Sequence, residues 1–328
     1  MSDNYLITGA TGFLGQRVCD DLAGQGVSVR AQGRNKDIGQ KLKDKGYDFI
    51  QMDLREDSLE LCKGIDIVIH SAALSSPWGR REDFYEINVA ATIKLLKSAI
   101  HNKVKKFIYI SSTSVYFDFT DRFDIKETDP VAKKAPSLYT KTKLQAENEL
   151  LKFKDQIDII IIRPRGIFGP RDTSLIPRVI AAHDKGRLAI IGNRDTILDL
   201  TYVGNVSHAA ILCAKKDIES GQIFNITNGE PVKLWTLIDK ILSRTGRELN
   251  QKVIPFSLVY YLSWLSEIIC SLPFIKREPT FTRYTTGLLA KSQTLNIDKA
   301  KDLLGYKPIR NMQESIDETI DWYLKEGR

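Results

Sequence analysis

Tyr139 and Lys143 stand four residues apart in Tyr139-Thr140-Lys141-Thr142-Lys143. On a helix that spacing puts a phenol and an ammonium on one face, and Ser137 just upstream is a candidate N-cap. A free phenol titrates near ~10, too high for efficient proton exchange at neutral pH. A neighbouring ammonium favours the phenolate and lowers that value. The same spacing also describes a half-buried tyrosine beside a surface lysine, so the pair needs a partner. Ser111-Ser112-Thr113-Ser114 supplies one, because these hydroxyls end the strand-like run Phe107–Ile110. In an open parallel sheet, ligands sit beyond the carboxyl ends of strands. A serine placed there can bond a substrate carbonyl and stabilise developing oxyanion charge.

Thr8-Gly9-Ala10-Thr11-Gly12-Phe13-Leu14-Gly15 follows a strand-like stretch and opens a helix-like one. Gly9 permits the tight turn, Gly12 lets backbone approach a pyrophosphate, and Gly15 lets helix and strand pack closely. The helix N-terminus then offers N–H groups and partial positive charge to phosphates. Glycines alone mark any turn, but the strand–turn–helix setting makes this a dinucleotide site. The second strand ends Arg30-Ala31-Gln32-Gly33-Arg34-Asn35 without the acid that usually takes the ribose hydroxyls of NAD. Arg34 can pair with the 2′-phosphate of NADP, or it is a solvent-exposed loop residue. NADP is favoured and NAD is the alternative.

These groups need a scaffold. Tyr5–Thr8, Val27–Ala31, Phe49–Met52, Ile65–His70, Phe107–Ile110 and Ile157–Ile162 read as strands; Phe13–Leu22, Phe84–Ile100 and Ser137–Phe153 read as helices. Ile67-Val68-Ile69 and Ile159–Ile162 are apolar without alternation, which suits parallel strands covered on both faces. The fold class is α/β, a Rossmann-type doubly wound parallel sheet with a smaller C-terminal substrate-binding region. Residues 1–163 are expected to hold the dinucleotide and 164–328 mainly the substrate, interleaved with the last sheet strands (Leu188–Ile191 and Ile223–Ile226 are the strand candidates). Helices are expected near Asn205–Ala214, Leu234–Thr245 and Ile297–Leu304.

Ile254–Ile275 is apolar over a length that meets the ~20-residue membrane threshold. Pro255, Pro273, serines and Glu267 argue against a clean span. A buried helical wall is the favoured reading, with a membrane-surface or lid helix as the other. Net charge is +7, but runs such as Lys103–Lys106 and Lys133–Lys134 read as solvated faces. No clustered basic patch with stacking aromatics points to nucleic acid. The four cysteines are far apart without a CxxC pair, which suits a reducing cytoplasm. The start, Met1-Ser2-Asp3-Asn4, carries no signal-peptide pattern.

Taken in order, TGATGFLG, IHSAA at Ile69–Ala73, SSTSVY and YTKTK resemble the extended short-chain dehydrogenase/reductases. The resemblance implies that Ser112, Tyr139 and Lys143 are catalytic. It implies cofactor contacts at Gly9, Gly12, Phe13, Leu14, Gly15, Ala72, Ala73 and Leu74, with Asp53 and Leu54 at the adenine and Tyr139 and Lys143 toward the nicotinamide side. Arg165, in Arg163-Pro164-Arg165-Gly166-Ile167-Phe168-Gly169-Pro170, is similar to a family turn near the nicotinamide, and Asn88 matches a helix asparagine that holds active-site backbone. No metal site is implied.

Sugar-nucleotide epimerases and dehydratases on this scaffold usually carry an arginine before the aspartate of an RDF-type strand. Here Leu198 precedes Asp199 and Arg194 is out of register, so the diphosphate clamp is missing. The basic strand end, the apolar 254–275 stretch and Trp78 in Ser75–Gly79 resemble instead the 3β-hydroxysteroid dehydrogenase-like branch. That branch includes bacterial 2-alkyl-3-oxoalkanoate reductases and sterol-4-carboxylate 3-dehydrogenases. The implied activity is hydride transfer between NADP(H) and a hydroxyl or ketone of a small hydrophobic substrate, with or without a carboxylate (3-hydroxysteroid or 3-oxo acid type). Alternatives are an epimerase/dehydratase with tightly bound NAD, and a non-catalytic dinucleotide sensor, which the retained Tyr139 and Lys143 disfavour. The branch leaves a homodimer and peripheral membrane contact through 254–275 as open partners.

Overall fold

The computed structural model describes residues 3–326 apart from 57, 174, 273 and 276; Met1, Ser2 and Pro273 of the readings above lie outside the described residues. Seven parallel strands form the central sheet: β1 (Tyr5–Thr8), β2 (Val29–Gly33), β3 (Asp48–Gln51), β4 (Ile67–His70), β5 (Lys106–Ile110), β6 (Asp158–Pro164) and β7 (Gln222–Ile226), in the order β7-β6-β5-β4-β1-β2-β3. The winding direction reverses between β1 and β4, which opens the ligand crevice of such sheets at their carboxyl ends.

The unbroken apolar runs are explained by two cores. Ile7, Ile69, Ile108 and Ile160 face one layer, with Val18 and Leu22 of α1 (Phe13–Ala23) and Val206 and Ala210 of the helix Val203–Lys215. Leu6, Val68, Phe107 and Ile161 face the other, with Leu95 and Leu96 of α2 (Ala91–His101) and Ala146 and Leu150 of α3 (Leu138–Leu151). Successive side chains of a strand point to opposite faces, so a strand covered on both needs apolar residues at every position. β7 comes from far along the chain and completes the sheet beside β6, in register Phe224↔Ile162.

Strand β2 starts two residues later than the periodicity predicts and runs on to Gly33, because Thr8 of β1 pairs with Gln32. The expected helix Phe84–Ile100 is one run of turns, Arg81–Tyr85 and α2, joined by a π turn at Glu86–Ala90. A smaller mixed sheet was not legible. It joins Val232–Lys233, Ile197–Leu198, Gln293–Leu295 and Arg122–Ile125, mostly strands too short to show a period.

Two readings need correction. Lys106 is not on a solvated face: it is buried, and its ammonium donates to the carbonyls of Cys213 (3.2 Å) and Lys216 (2.6 Å). A cation there satisfies orphan carbonyls at a helix C-terminus. Nor is 254–275 a buried wall. Its helix α4 (Phe256–Cys270) buries only Ser263, and no helix among the described residues is long and apolar enough to cross a membrane.

His70 joins β4 to its neighbours where the crevice opens. Its Nδ1 lies 2.6 Å from Thr8 Oγ1 and its Nε2 2.9 Å from Thr92 Oγ1. Complete burial, aided by the Lys143 ammonium, pushes the imidazole down to about 3. The unfolded chain takes up a proton below pH 6.5 that the folded chain refuses. This contribution to stability is therefore intact above pH 6.5 and is lost as pH falls toward 3. The urea midpoint should drop more between pH 7.5 and pH 5 in the wild type than in His70→Gln; equal drops would exclude the imidazole as a source.

Candidate active site

β1 ends at Thr8 and the chain turns through Gly9 at φ +66°, where only glycine is unstrained. A Cβ on Gly9 would lie 2.8 Å from Ala72, and one on Gly15 would lie 2.2 Å from the Gly9 carbonyl. The turn is thus wedged against the segment after β4. Gly12 precedes α1, whose first turn has no side-chain cap and no acidic residue. A glycine-lined approach to uncapped N–H groups fits the pyrophosphate of a dinucleotide. Gln32, which the motif reading missed, holds the turn from below. Its amide accepts from Gly9 N (3.3 Å) and donates to the Met52 carbonyl (2.6 Å).

Arg34 projects beyond β2 and is well exposed, with its guanidinium 3.6 Å from Asp53. Arg55, also overlooked although it is two residues from Asp53, pairs with that carboxylate more closely at 2.8 Å. The Arg55 hydrogen bond holds Asp53 down to about 2 despite some desolvation. Asp53 is thus one carboxylate flanked by two guanidiniums. Leu54 is buried, while Ala72, Ala73 and Leu74 line the crevice half-buried. Asn88, inside the π turn, accepts from Leu74 N (2.7 Å) and donates to the Leu74 carbonyl (3.1 Å) and Thr142 Oγ1 (3.0 Å). One amide thereby locks the cofactor-side loop to α3; π turns recur at functional sites for such local re-aiming.

Ser137 caps α3 by accepting from Thr140 N (3.1 Å). Tyr139 and Lys143 lie on the face turned to the strand ends. Lys143 Nζ donates to the Ile110 carbonyl at the end of β5 (2.7 Å) and stands 4.5 Å above the Tyr109 ring. Ser112 caps the short turn Thr113–Tyr116, accepting from Ser114 N (3.1 Å), and its hydroxyl lies beside the Tyr139 phenol, whose pKa it lowers. Ser111 is engaged elsewhere, by Glu147. Of the hydroxyls after β5, Ser112 is thus the one that acts on the tyrosine.

The electrostatics differ from the spacing argument. Burial pushes the Tyr139 phenol well up and Tyr284 pushes it further; the contribution that lowers it comes from Ser112, not Lys143. Burial also drives the Lys143 ammonium down to about 7, against the pull of Glu147. Desolvation outweighs the pairwise attraction for both groups.

Glu147 extends the series Tyr139, Lys143, Glu147 by one more turn of the same face, a signal the sequence held. Its carboxylate forms a fully buried pair with Arg163 of β6 (Nε–Oε1 3.0 Å), and Arg163 also donates to Tyr116, which donates to Asn225 of β7 (3.1 Å). Arg165, two residues on, is different. Its Nε and Nη2 are buried and find no partner among the described residues. Burial presses the guanidinium down, with Tyr284 and Asp199 pulling back. Tyr284 lies on a helix no motif foretold, α5 (Arg283–Ala290), with its phenol beside Thr140 and Ser114. Trp78 is half-buried in a loop tied by Ser76 Oγ to its own carbonyl (2.7 Å). Among the described residues no cluster could hold a metal ion.

Comparison with known proteins adds a family to this geometry. Residues 6–258 match the model of the 3-beta hydroxysteroid dehydrogenase/isomerase family. The chain is 33% identical to the mouse sterol-4-alpha-carboxylate 3-dehydrogenase, decarboxylating, over 96% of its own length and 89% of that protein's. It is 29% identical to the 2-alkyl-3-oxoalkanoate reductase of Shewanella oneidensis, over 94% and 84%. Among solved structures, UDP-glucuronic acid 4-epimerase from Bacillus cereus with NAD superposes with a TM-score of 0.77 at 22% identity, covering 98% and 99% of the two chains. That likeness is one of fold.

Removing one member of a buried ion pair strands the other charge, at a cost of about 3–5 kcal/mol. Arg163→Met should lower stability by this amount in urea titration, and the paired replacement Arg163→Met with Glu147→Leu should recover most of it. A single substitution that costs under ~1 kcal/mol would show the pair to be well hydrated.

Proposed function

The chain belongs to the 3-beta hydroxysteroid dehydrogenase/isomerase family of the extended short-chain dehydrogenase/reductases, and from that footing we propose that it moves hydride between NADP(H) and a hydroxyl or ketone carbon of a hydrophobic, carboxylated substrate. The family uses NAD(P); the choice of NADP and the class of substrate are our reading. One observation carries it: the Ser112 hydroxyl lies beside the Tyr139 phenol, one helical turn from Lys143, whose ammonium is held at the end of β5.

Gly9, Gly12, Phe13, Leu14 and Gly15 would hold the pyrophosphate, with Asp53 and Leu54 at the adenine and Ala72, Ala73 and Leu74 along the crevice. The dinucleotide, when bound, supplies or accepts the hydride. In reduction Ser112 orients the substrate carbonyl and Tyr139 gives its proton to the emerging alkoxide oxygen. In oxidation Tyr139 takes that proton back. Lys143 lowers the cost of the phenolate, a role that asks its ammonium to stay charged. Arg165 offers unused N–H donors on the substrate side and suits a carboxylate oxygen. Residues 1–163 would carry the dinucleotide and 164–328 mainly the substrate. Leu198, buried where sugar-nucleotide enzymes place a diphosphate-gripping arginine, weighs against that substrate class. The four unbonded cysteines support a reducing cytoplasm as the compartment.

Tyr139→Phe should lower kcat by roughly 10²–10⁴ in stopped-flow assays with a 3-oxo acid while cofactor binding is retained, the range for loss of a general acid. Unchanged turnover removes the mechanism. Arg34→Ala should raise the KM for NADPH by about 10-fold or more and leave NADH unaffected, as loss of a charged hydrogen bond predicts. Equal effects on the two cofactors would return the preference to NAD.

A further inference from the structure

An ammonium has three donors to satisfy. Lys143 is 2% exposed, and among the described residues its Nζ donates to a single oxygen, the Ile110 carbonyl at 2.7 Å. Its other close contact is the Tyr109 ring, whose centroid lies 4.5 Å from Nζ. A cation within about 6 Å of an aromatic face is drawn to the negative side of its quadrupole, most strongly where water is excluded. Tyr109 is 1% exposed, so both partners of this contact are dry.

The sheet holds the ring in place. Tyr109 of β5 pairs with His70 of β4 in register, and the two rings stack at 5.8 Å with 25° between their planes. The Tyr109 hydroxyl finds no hydrogen-bond partner. Burial pushes that phenol well up, and Glu147 and Tyr139 push it further, so it keeps its proton at neutral pH. Tyr109 therefore offers Lys143 neither a phenolate nor an oxygen acceptor. What it offers is the face of its ring.

The charged and titratable groups nearby do not replace that face. His70 is held neutral on β4, pushed down to about 3. Tyr139, one turn back on α3, stays a phenol because burial pushes it up, and Tyr284 of α5 acts on Tyr139 and on Arg165. Glu147, one turn on, does attract Lys143, but its carboxylate is shared by Ser111 and by Arg163 of β6. The pair it forms with Arg163 carries no net charge.

We propose that Tyr109 is a positioning residue whose ring face keeps Lys143 charged and holds its ammonium over the end of β5, one turn from Tyr139. The ring takes the place of oxygens that a buried ammonium would otherwise need. The consequence for turnover rests on the proposed hydride transfer; the hold on the ammonium does not.

NMR of the full chain, with lysines labelled at Cε with carbon-13, follows the charge of Lys143 directly, and Lys143→Arg assigns its signal. Tyr109→Phe keeps the face and removes only the orphan hydroxyl, so the Lys143 midpoint should stay at its wild-type value. Phenylalanine in place of Tyr109, fluorinated stepwise to the trifluoro ring, keeps the shape while withdrawing the negative face. The midpoint should fall with each fluorine, by about one pH unit in all. Reduction of a 3-oxo acid by NADPH needs the charged lysine, so kcat declines as pH rises through the midpoint, and that declining limb should move down in step. Contacts from a bound dinucleotide are common to every variant, so the differences among them read the ring. A midpoint indifferent to fluorine overturns the inference, whatever the turnover. So does a fall of that size already present in Tyr109→Phe, which would give the effect to the hydroxyl. A midpoint that falls while the declining limb stays put would uphold the hold on Lys143 and sink the reading of proton transfer through Tyr139 and Lys143.

Discussion

An ammonium taken wholly out of water has to be held by oxygen, and the fold meets that demand for Lys143 with one carbonyl at the end of β5 and one aromatic face. Those two contacts do not compensate the lost hydration, which is why the group is driven down to about 7. The lysine is therefore poised: any partner that favours its charged form raises its affinity for a proton, and the phenol one turn away responds to the same change. Much of the surrounding structure serves to keep this group and its neighbours still. Glu147 and Arg163 clamp the next turn of α3 to β6, and Asn88 ties the turn before it to the loop after β4.

The placement of the site follows from the reversal in strand order between β1 and β4. Helices on opposite faces leave the carboxyl ends in different directions there, and in such sheets that gap is where ligands bind. His70 sits at this point between Thr8 and Thr92, so the strands that flank the gap share a buried hydrogen-bonded axis. The side proposed for the substrate is assembled later in the chain. Arg165, Asp199 and Tyr284 come from three separate segments and bring charge and phenol into apolar surroundings. Burial leaves the Asp199 carboxyl pushed up to about 6, even with Leu295 N and Arg165 pulling it down.

The glycine turn and the shared face of Tyr139 and Lys143 were legible because each depends on local spacing. A tight turn needs glycine at set positions, and Tyr139 with Lys143 needs only one helical turn. The buried strands betrayed themselves as apolar runs of the right length. What escaped has the opposite character. The small sheet uses strands of two to four residues, too short to show a period. Gln32 and Tyr284 act across long sequence separations and belong to no motif, and the bonds of His70 to Thr8 and Thr92 are not readable from its place in IHSAA. The 254–275 stretch misled because hydrophobicity reports a wish to leave water, not where that wish is met; its serines and glutamate, taken as signs against a span, are the residues that face the protein. Spacing conveyed the proximity of Tyr139 and Lys143 but not their desolvation, which pushes the phenol up and the ammonium down.

The central claim is that the Tyr139 hydroxyl delivers a proton to an oxygen whose carbon receives hydride from the dinucleotide. The most direct measurement follows deuterium from NADPH labelled at one face of its C4 into a panel of 3-oxo acids and steroid ketones. The account predicts deuterium at a single carbinol carbon of one configuration, from one face of the label only. Label that stays on the cofactor, or that appears in both configurations, would contradict it.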